Sequence, residues 1–503
     1  MISGSPDKSE KLSTRRTVDK STRRTRHTNG GQAADKTSQE YHEGAFDALK
    51  EQDRQVYDLI IKEYERLNNK LQLIAAENLC SQAVLAALGS VIQNKTAEGF
   101  PGARLHGGCE VVDDVEKLAV ARAKEAFGAK YANVQPHSGT SANLIVMTSL
   151  LEPGDNILSM GLGQGGHYSH GSKASFTGKF FNVENYYVDK KTYLLDYDAI
   201  KDKAVKIRPK LIICGASAYT RTIDFKKFRE IADMVGAYLL ADISHIAGLI
   251  IAGAHPSSVD YAHFTTTSTY KPGGPRGGLI IMGKDYDMKV NEGRRTKDDP
   301  GFAFGYAGAG GRETRDELWE LIDKATFPGA QGTPYLNNIA AKAVFFKETL
   351  SDEYKARQFK IVENAKKLSD SLLDSGYDVL TGGTDNHMIL INVSNFREGL
   401  NGATAQKCLE ECGIVTNKVM LPYDKKTTII TSGIRIGTPI VTRNGMGAEE
   451  MVSISALINA VLRRIKIISD SKYEIEESFE IEHRERVKEL CSRFPIRLRL
   501  ALP

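Results

Sequence analysis

The sequence predicts an α/β fold in which parallel strands alternate with helices. Residues 209–217 and 236–245 are apolar runs that end in small or polar residues, as buried strands of a parallel sheet do. Residues 265–278 pass from β-branched and hydroxyl residues, which are typical of a strand, into a turn rich in proline and glycine. Because the carboxyl ends of parallel strands meet at one edge of the sheet, we expect the polar residues there to form the functional site.

Bulk composition excludes several classes of protein. At 503 residues the chain is long enough for more than one domain. Its net charge of +4 is too small to predict nucleic-acid binding, and no apolar run is long enough to predict a membrane span. Six cysteines without a C-x-x-C pair predict reduced thiols and a cytoplasmic location. We expect no metal ion.

The N-terminal region is polar and basic. Residues 1–40 contain almost no large apolar residues, so we expect them to be disordered. A solvated tail is the favoured interpretation, and an organelle transit peptide or an arm for an anionic partner are the alternatives. Asp7, Glu10 and Asp19 count against a transit peptide, which is normally poor in acids. Residues 41–93 are predicted to form a helical arm.

Lys271 lies in the turn that follows the third strand. A lysine held there is a candidate nucleophile for a Schiff base, although a lone turn lysine is more often an ordinary surface residue. Asp242 ends the preceding apolar run, and His245 follows it by three residues. A carboxylate that keeps a pyridine nitrogen protonated and a lysine that forms the Schiff base together fit pyridoxal 5'-phosphate.

Ser138, Gly139 and Thr140 begin a helical run after a short strand. Small residues at a helix start present free backbone N–H groups and the positive end of the helix dipole, which suit a phosphate. A plain helix cap is the alternative.

Further motifs carry a resemblance to a known family. They are LIAAEN (73–78), NVQPHSG (133–139), GGH (165–167), ASAY (216–219), DISHIAG (242–248), TDNH (384–387) and SGIRIGT (432–438). With the Lys271 turn, they resemble the serine hydroxymethyltransferase family over residues 52–503. The resemblance implies a fold-type I, pyridoxal-phosphate-dependent transferase. It also implies a large domain (94–335) with a mostly parallel seven-stranded sheet and a smaller α+β C-terminal domain (336–503).

The resemblance also implies roles for individual residues. His167 stacks on the cofactor ring, Ser217 and His245 hold its phenolic oxygen, and Gly332 is a further cofactor-binding residue. Arg435 binds the substrate carboxylate, and Glu98 moves a proton at the β-hydroxyl group. The loop of residues 95–108 reaches the active site, partly that of a neighbouring subunit, so a homodimer or homotetramer is expected.

Several positions differ from the usual family pattern, mostly on the substrate and folate side. They are Ala76, Thr96, Leu105, His106, Gln164, Tyr270, Pro272 and Val419. Leu105 and Val419 each remove a polar or aromatic partner for a pterin, so use of tetrahydrofolate is doubtful, and His106 is a candidate substrate-binding residue. An insertion over about 284–318 also departs from the family, and its charged, glycine-rich sequence predicts a mobile surface loop.

Three functions remain open. The favoured one is a folate-independent threonine aldolase or transaldolase, which yields glycine and an aldehyde. A true tetrahydrofolate-dependent serine hydroxymethyltransferase is the second. The third is a catalytically weak homologue that binds the cofactor and has a regulatory role.

Overall fold

The structure is a computed structural model, and it describes residues 45–284 and 318–496. The predictions for the basic tail (1–40) and for nearly all of the insertion (285–317) lie outside the described residues. The chain divides into two units; the first is described over residues 45–62, and the second, which begins at residue 63, contains both larger sheets and the candidate site.

Seventeen strands and seventeen helices are defined within the described residues, apart from short 3₁₀ and π segments. The strands are β1 (Leu71–Gln72), β2 (Gly99–Phe100), β3 (Ala103–Arg104), β4 (Tyr131–Asn133), β5 (Asn156–Met160), β6 (Asn182–Tyr186), β7 (Leu211–Cys214), β8 (Tyr238–Asp242), β9 (Phe264–Ser268), β10 (Gly278–Met282), β11 (Asp378–Val379), β12 (Met388–Asn392), β13 (Ile414–Val415), β14 (Asn417–Val419), β15 (Gly433–Gly437), β16 (Lys466–Ser469) and β17 (Lys472–Glu474). The helices are α1 (Ala45–Gln52), α2 (Arg54–Asn69), α3 (Gln82–Leu88), α4 (Glu110–Phe127), α5 (Gly139–Leu150), α6 (Phe176–Phe180), α7 (Tyr197–Ile207), α8 (Phe225–Val235), α9 (Ala247–Ala252), α10 (Leu318–Lys324), α11 (Leu336–Thr349), α12 (Asp352–Asp374), α13 (Val393–Phe396), α14 (Gly402–Glu411), α15 (Pro439–Arg443), α16 (Ala448–Arg464) and α17 (Glu477–Ser492).

The larger sheet has seven strands in the order β4-β10-β9-β8-β7-β5-β6. All neighbours pair in parallel except that β10 runs antiparallel to both β9 and β4. Strands β7, β8 and β9 are buried almost throughout, which explains their continuous apolar or β-branched sequences. The predicted mostly parallel seven-stranded sheet is therefore confirmed.

Helices cover both faces of this sheet and build its core. Helix α4 ends at Gly128, whose φ of 62° is the left-handed conformation that stops a helix. Helix α11 adds Leu336, Ile339, Phe345 and Phe346 to the same core. The proposed domain boundary at residue 335 stays a prediction.

The C-terminal region contains a second sheet, antiparallel throughout, in the order β11-β12-β15-β14. Its core includes apolar residues of α12, α14 and α16. Helix α12 begins at Asp352, where the Ser351 side chain caps it by accepting a hydrogen bond from the Tyr354 N–H. This mixed α+β arrangement completes the predicted fold class.

None of the helices in the described ranges is long and apolar enough to cross a membrane.

Candidate active site

A cavity of about 180 Å³ lies at the carboxyl ends of β7, β8 and β9. This is the edge at which an α/β sheet normally binds its ligand. Its lining brings together eight of the residues that were predicted from sequence. The lining residues are Ser138, Gly139, Thr140, His167, His170, Ala216, Ser217, Asp242, Ser244, His245, Ser268, Tyr270, Lys271 and Arg276.

Asp242 ends β8 and is 8% exposed. Its Oδ2 accepts hydrogen bonds from Asn143 Nδ2 (2.8 Å) and His170 Nε2 (2.9 Å). Its Oδ1 accepts from the backbone N–H (3.0 Å) and the hydroxyl (2.6 Å) of Ser244. Burial alone would raise the pKa of this carboxyl, but the hydrogen bond and charge of His170, with smaller contributions from His167 and Ser244, hold it well below its usual value. Asp242 is therefore an anion at neutral pH.

His167 lies at the other side of the same cluster. Its Nδ1 is 2.8 Å from Ser169 Oγ and accepts a hydrogen bond from the Ser169 N–H. Burial lowers the pKa of His167 to about 4, although the charge of Asp242 opposes this shift, so the imidazole is neutral at physiological pH. The ligand atoms of His167, His170 and Asp242 lie within 4.8 Å of one another, which is also close enough for a metal ion.

Lys271 is held in a closed turn. The Thr269 N–H donates to the Gly277 carbonyl at 3.0 Å, and this hydrogen bond holds the two ends of the turn together. Lys271 Nζ donates to Ser268 Oγ at 3.1 Å and lies 4.8 Å from the centre of the Tyr270 ring. The lysine that was predicted as a nucleophile therefore lies in the cavity, one turn beyond the end of β9.

Helix α5 begins at the cavity wall. The Ser138 hydroxyl caps the helix by accepting a hydrogen bond from the Ser141 N–H at 3.0 Å. Ser138, Gly139 and Thr140 all line the cavity, so the N-terminal end of the helix lies at its wall. A Cβ atom on Gly139 would lie 3.2 Å from the Ser268 N and 3.3 Å from the Ser244 hydroxyl. The glycine thus allows the helix start to approach the end of β9 closely.

His245 lines the side of the cavity that is nearest the second sheet, and Arg435 lies beside that wall. The His245 ring stacks on His387 at 5.8 Å, and its Nδ1 has no hydrogen-bond partner among the described residues. Burial and the nearby cations Lys271 and Arg435 hold the pKa of His245 well below its usual value. Arg435 projects from β15, where its Nη1 donates to the Ser217 carbonyl and its Nε donates to Asn417. Burial lowers its pKa to about 10, so it remains a cation at neutral pH.

Four predicted site residues do not line the cavity of this chain. Arg435 adjoins it through Ser217, whereas Glu98, His106 and Gly332 lie elsewhere. Glu98 is in the β2–β3 region and lies near Gly332, because a Cβ on that glycine would meet Glu98 Oε1 at 3.2 Å. His106 is exposed.

Arg104 holds the loop that carries Glu98. Its guanidinium pairs with Asp113 (2.8 Å) and Glu116 (2.5 Å) and also donates to the Ala97 and Gly99 carbonyls. Glu98 is thus fixed between two anchored residues, so its loop has a defined position outside this chain's own cavity.

Sequence reasoning gave no role to Asn143, His170, Ser244 or Arg276. Asn143 and His170 lie 99 and 72 residues from Asp242, and no local pattern relates them to it. Ser244 had a usable signal, because it lies two residues after the strand-ending aspartate, where a side chain can return to the carboxylate.

The cavity fits pyridoxal 5'-phosphate. The α5 N-terminus offers N–H groups for a phosphate, Asp242 offers a buried anion for the ring nitrogen, and Lys271 offers an amine within the same space. His245 Nδ1, which has no partner among the described residues, can serve the phenolic oxygen. The sheet and this arrangement together define a fold-type I pyridoxal-phosphate-dependent enzyme.

Comparison with known proteins narrows the class. The family model described as serine hydroxymethyltransferase matches residues 49–458. A serine hydroxymethyltransferase of Methanosarcina barkeri (strain Fusaro / DSM 804) is 46% identical over 452 residues, which cover 89% of this chain and 99% of that protein. The chain belongs to the serine hydroxymethyltransferase family, and it is a transferase that depends on pyridoxal phosphate.

Proposed function

We propose that this enzyme makes and breaks the Cα–Cβ bond of β-hydroxy-α-amino acids, converting serine or threonine to glycine and an aldehyde. The observation that carries the proposal is the meeting of Lys271, Asp242 and His167 in one cavity, with the Arg435 guanidinium beside it. These groups supply a covalent anchor, a buried anion, a neutral ring and a fixed cation for a carboxylate.

Each residue has a defined task in this reaction. When bound, pyridoxal phosphate supplies an electron sink for the charge that develops at the amino-acid Cα. Asp242, kept ionised by its four hydrogen bonds, holds a proton on the ring nitrogen. Lys271 Nζ would hold the cofactor through a covalent bond, and the substrate amine would take over that bond during the reaction. Arg435 orients the substrate through its carboxylate, so that the bond to be broken is aligned with the ring.

We assign Glu98 to proton transfer at the β-hydroxyl oxygen, in the cavity of a neighbouring subunit. Its loop is anchored by Arg104 but lies outside this chain's own cavity, which supports a homodimer or homotetramer as the working unit. His106 is exposed on the same loop, and we assign it to substrate binding in the cavity of the neighbouring subunit. Light scattering of the purified protein tests the assembly, and a monomer that turns over substrate would contradict it.

We further propose that the aldehyde is not passed to tetrahydrofolate, so the enzyme is a threonine aldolase or transaldolase. Val419 packs against the apolar cluster of Ala218, Leu380, Leu390 and Leu421, and Leu105 is 69% exposed. Neither side chain can donate or accept a hydrogen bond, so a pterin would find no polar partner at either position.

The second candidate is a true serine hydroxymethyltransferase. The observation in its favour is the 46% identity to a protein of that name over nearly its whole length. The two candidates differ in one property, which is whether serine cleavage depends on the folate.

Glycine formation separates these candidates. Purified enzyme is given L-serine or L-threonine, each with and without tetrahydrofolate, and Lys271→Ala serves as the inactive control. We expect threonine cleavage that is indifferent to the folate. Serine cleavage that requires the folate would make the second candidate correct, and bound cofactor without any cleavage would leave a regulatory homologue.

Two variants that restore the usual family residues on the folate side provide a second test. Val419→Asn and Leu105→Tyr return polar or aromatic partners to the folate side, and we expect them to increase folate-stimulated serine cleavage. Ile429→Asn is a matched control, because Ile429 is 72% exposed and outside the apolar cluster around Val419. An equal increase in the control would show that the effect is not specific to the pterin site.

We also place the enzyme in the cytoplasm. All six cysteines are free thiols, and five of them are buried, as expected for a protein that folds in a reducing compartment. Imaging of the tagged protein in its own cells tests this assignment.

A further inference from the structure

Lys342 is a fully buried lysine that the reaction does not use. It lies on α11, is 1% exposed, and directs its ammonium at three backbone carbonyls. Nζ donates to the carbonyls of Val134 (2.6 Å), Gly278 (2.8 Å) and Pro136 (3.2 Å). An ammonium has three N–H donors, so every donor of Lys342 is used.

The three carbonyls belong to the two segments that form the cofactor cavity. Val134 and Pro136 lie between β4 and Ser138, where α5 and the phosphate-binding end begin. Gly278 is the first residue of β10, directly after the turn that carries Lys271. One buried cation therefore connects the phosphate-binding segment to the lysine-bearing turn.

The backbone is built around this contact. The Gly278 N–H also donates to the Pro136 carbonyl at 2.8 Å. A Cβ on Gly278 would meet the Ser138 carbonyl oxygen at 2.1 Å, and a Cβ on Gly277 would meet Lys342 Cε at 2.4 Å. Only glycine at both positions lets the two segments and the lysine come this close.

The surroundings of Lys342 compensate for the burial of its amine. Burial lowers the pKa of Lys342 to about 7, and the carboxylate of Glu116 acts in the opposite direction. Glu116 is itself engaged by Arg104 and Gln135, so it does not pair with Lys342 directly. A buried amine is costly unless its donors are satisfied, and here backbone carbonyls satisfy them.

We propose that Lys342 is a positioning residue that sets the distance between the phosphate-binding start of α5 and the Lys271 turn, and so the affinity for pyridoxal phosphate. The proposal rests on the assignment of Lys271 and Ser138 to cofactor binding. It concerns binding alone, so a different substrate for the enzyme would leave it intact.

Substitution of Lys342 by glutamine and by methionine tests the proposal. Glutamine retains N–H donors for some of the carbonyls, whereas methionine retains only the length of the side chain. We expect the dissociation constant of pyridoxal phosphate, measured by titration of cofactor-free protein, to rise about 10-fold or more in Lys342→Met and less in Lys342→Gln. The absorption of the covalently attached cofactor should develop more slowly in the same order.

A purely structural role predicts instead that weaker cofactor binding only accompanies lower stability, wherever in the protein the substitution lies. Lys347→Met, on the exposed side of the same helix, should leave the dissociation constant unchanged. Leu372→Ala, in the second core, provides a variant of reduced stability that does not touch the cavity.

Cofactor binding in Lys342→Met that is as tight as in Lys342→Gln, or as tight as in Leu372→Ala, would overturn the proposal. If Lys342→Met does not fold, Lys342→Gln decides alone. A dissociation constant for pyridoxal phosphate at least about threefold higher than that of the unsubstituted protein would support the positioning role. An unchanged dissociation constant would refute it.

Discussion

Replacement of Asp242 by asparagine is the most direct test of how the cavity is built. The carboxylate accepts four hydrogen bonds, two on each oxygen. Asparagine keeps the shape but has only one acceptor oxygen, so its amide nitrogen must face groups that are themselves donors. The neutral side chain also cannot hold a proton on a ring nitrogen.

The cost follows from the two possible orientations of the new amide. If the amide nitrogen of the new asparagine faces Asn143 and His170, the N–H groups of both residues point at another donor and lose their acceptor. With its nitrogen toward Ser244, the hydroxyl can rotate and accept, and only the Ser244 N–H is left unmatched. That second orientation costs about 1–3 kcal/mol for one unsatisfied buried donor, plus the loss of charge assistance in the remaining bonds. We therefore expect about 2–4 kcal/mol less stability.

Chemistry should suffer independently of stability. Without the anion, the ring nitrogen loses its proton and the electron sink weakens, so we expect glycine formation to fall by at least about 100-fold, or about 2.7 kcal/mol in the barrier. Denaturant unfolding and initial rates of glycine formation measure the two effects. Asp198→Asn is the control, because that carboxylate is 90% exposed and should change stability by less than about 0.5 kcal/mol.

Wild-type stability together with wild-type turnover in Asp242→Asn would refute this reasoning. Normal turnover with reduced stability would confine Asp242 to a structural role and remove it from the proposed reaction.

Three further perturbations have calculable outcomes. Gly278→Ala places a Cβ 2.1 Å from the Ser138 carbonyl, so denaturant unfolding should show a loss of about 2–4 kcal/mol and titration should show weaker cofactor binding. Burial raises the pKa of Asp323 to about 7, so the folded state binds a proton that the unfolded state has lost, and stability falls as pH rises from about 4 to 7. Asp323→Asn keeps the oxygen that accepts the hydrogen bond from Asn133, and it should remove this pH dependence of stability. Unfolding measured at pH 5 and at pH 8 should show that the variant is about 1–3 kcal/mol more stable than the unsubstituted protein at pH 8. Phe346→Ala, at a side chain 1% exposed, should cost about 3–5 kcal/mol in the same assay.

Each of these expectations has an opposing result. A normal melting curve for Gly278→Ala would show that the close approach of the two segments is dispensable. A stability profile with an unchanged pH slope in Asp323→Asn would assign the slope to another group, and a loss below about 1 kcal/mol for Phe346→Ala would mean that the core closes around the cavity.

Much of the site was predictable because its residues occupy positions with strong local signals. Asp242 ends an apolar run, Lys271 follows a β-branched strand in a proline- and glycine-rich turn, and Ser138 precedes a helix. Parallel strands place such ends along one edge, so the prediction that they meet needed only the strand pattern. The structure brings all three into one cavity.

Other partners could not be predicted, because they depend on which faces of distant elements touch. His170 donates a hydrogen bond to Asp242 from a short 3₁₀ segment. The residues around His170 in the sequence do not distinguish it from an ordinary histidine. Arg435 reaches Ser217 from a different sheet, a contact across 218 residues that was implied only by resemblance to a family.

The sequence by itself determined the α/β class and predicted the strand ends and the Lys271 turn that line the cavity, because strand periodicity, turn residues and helix caps are local properties of the chain. Only the tertiary structure decided that Lys342 is buried among backbone carbonyls, that Glu98 lies outside this chain's own cavity, and that four hydrogen bonds keep Asp242 ionised. Those facts depend on how helices pack on the sheet, and that packing is set by contacts between residues tens to hundreds of positions apart.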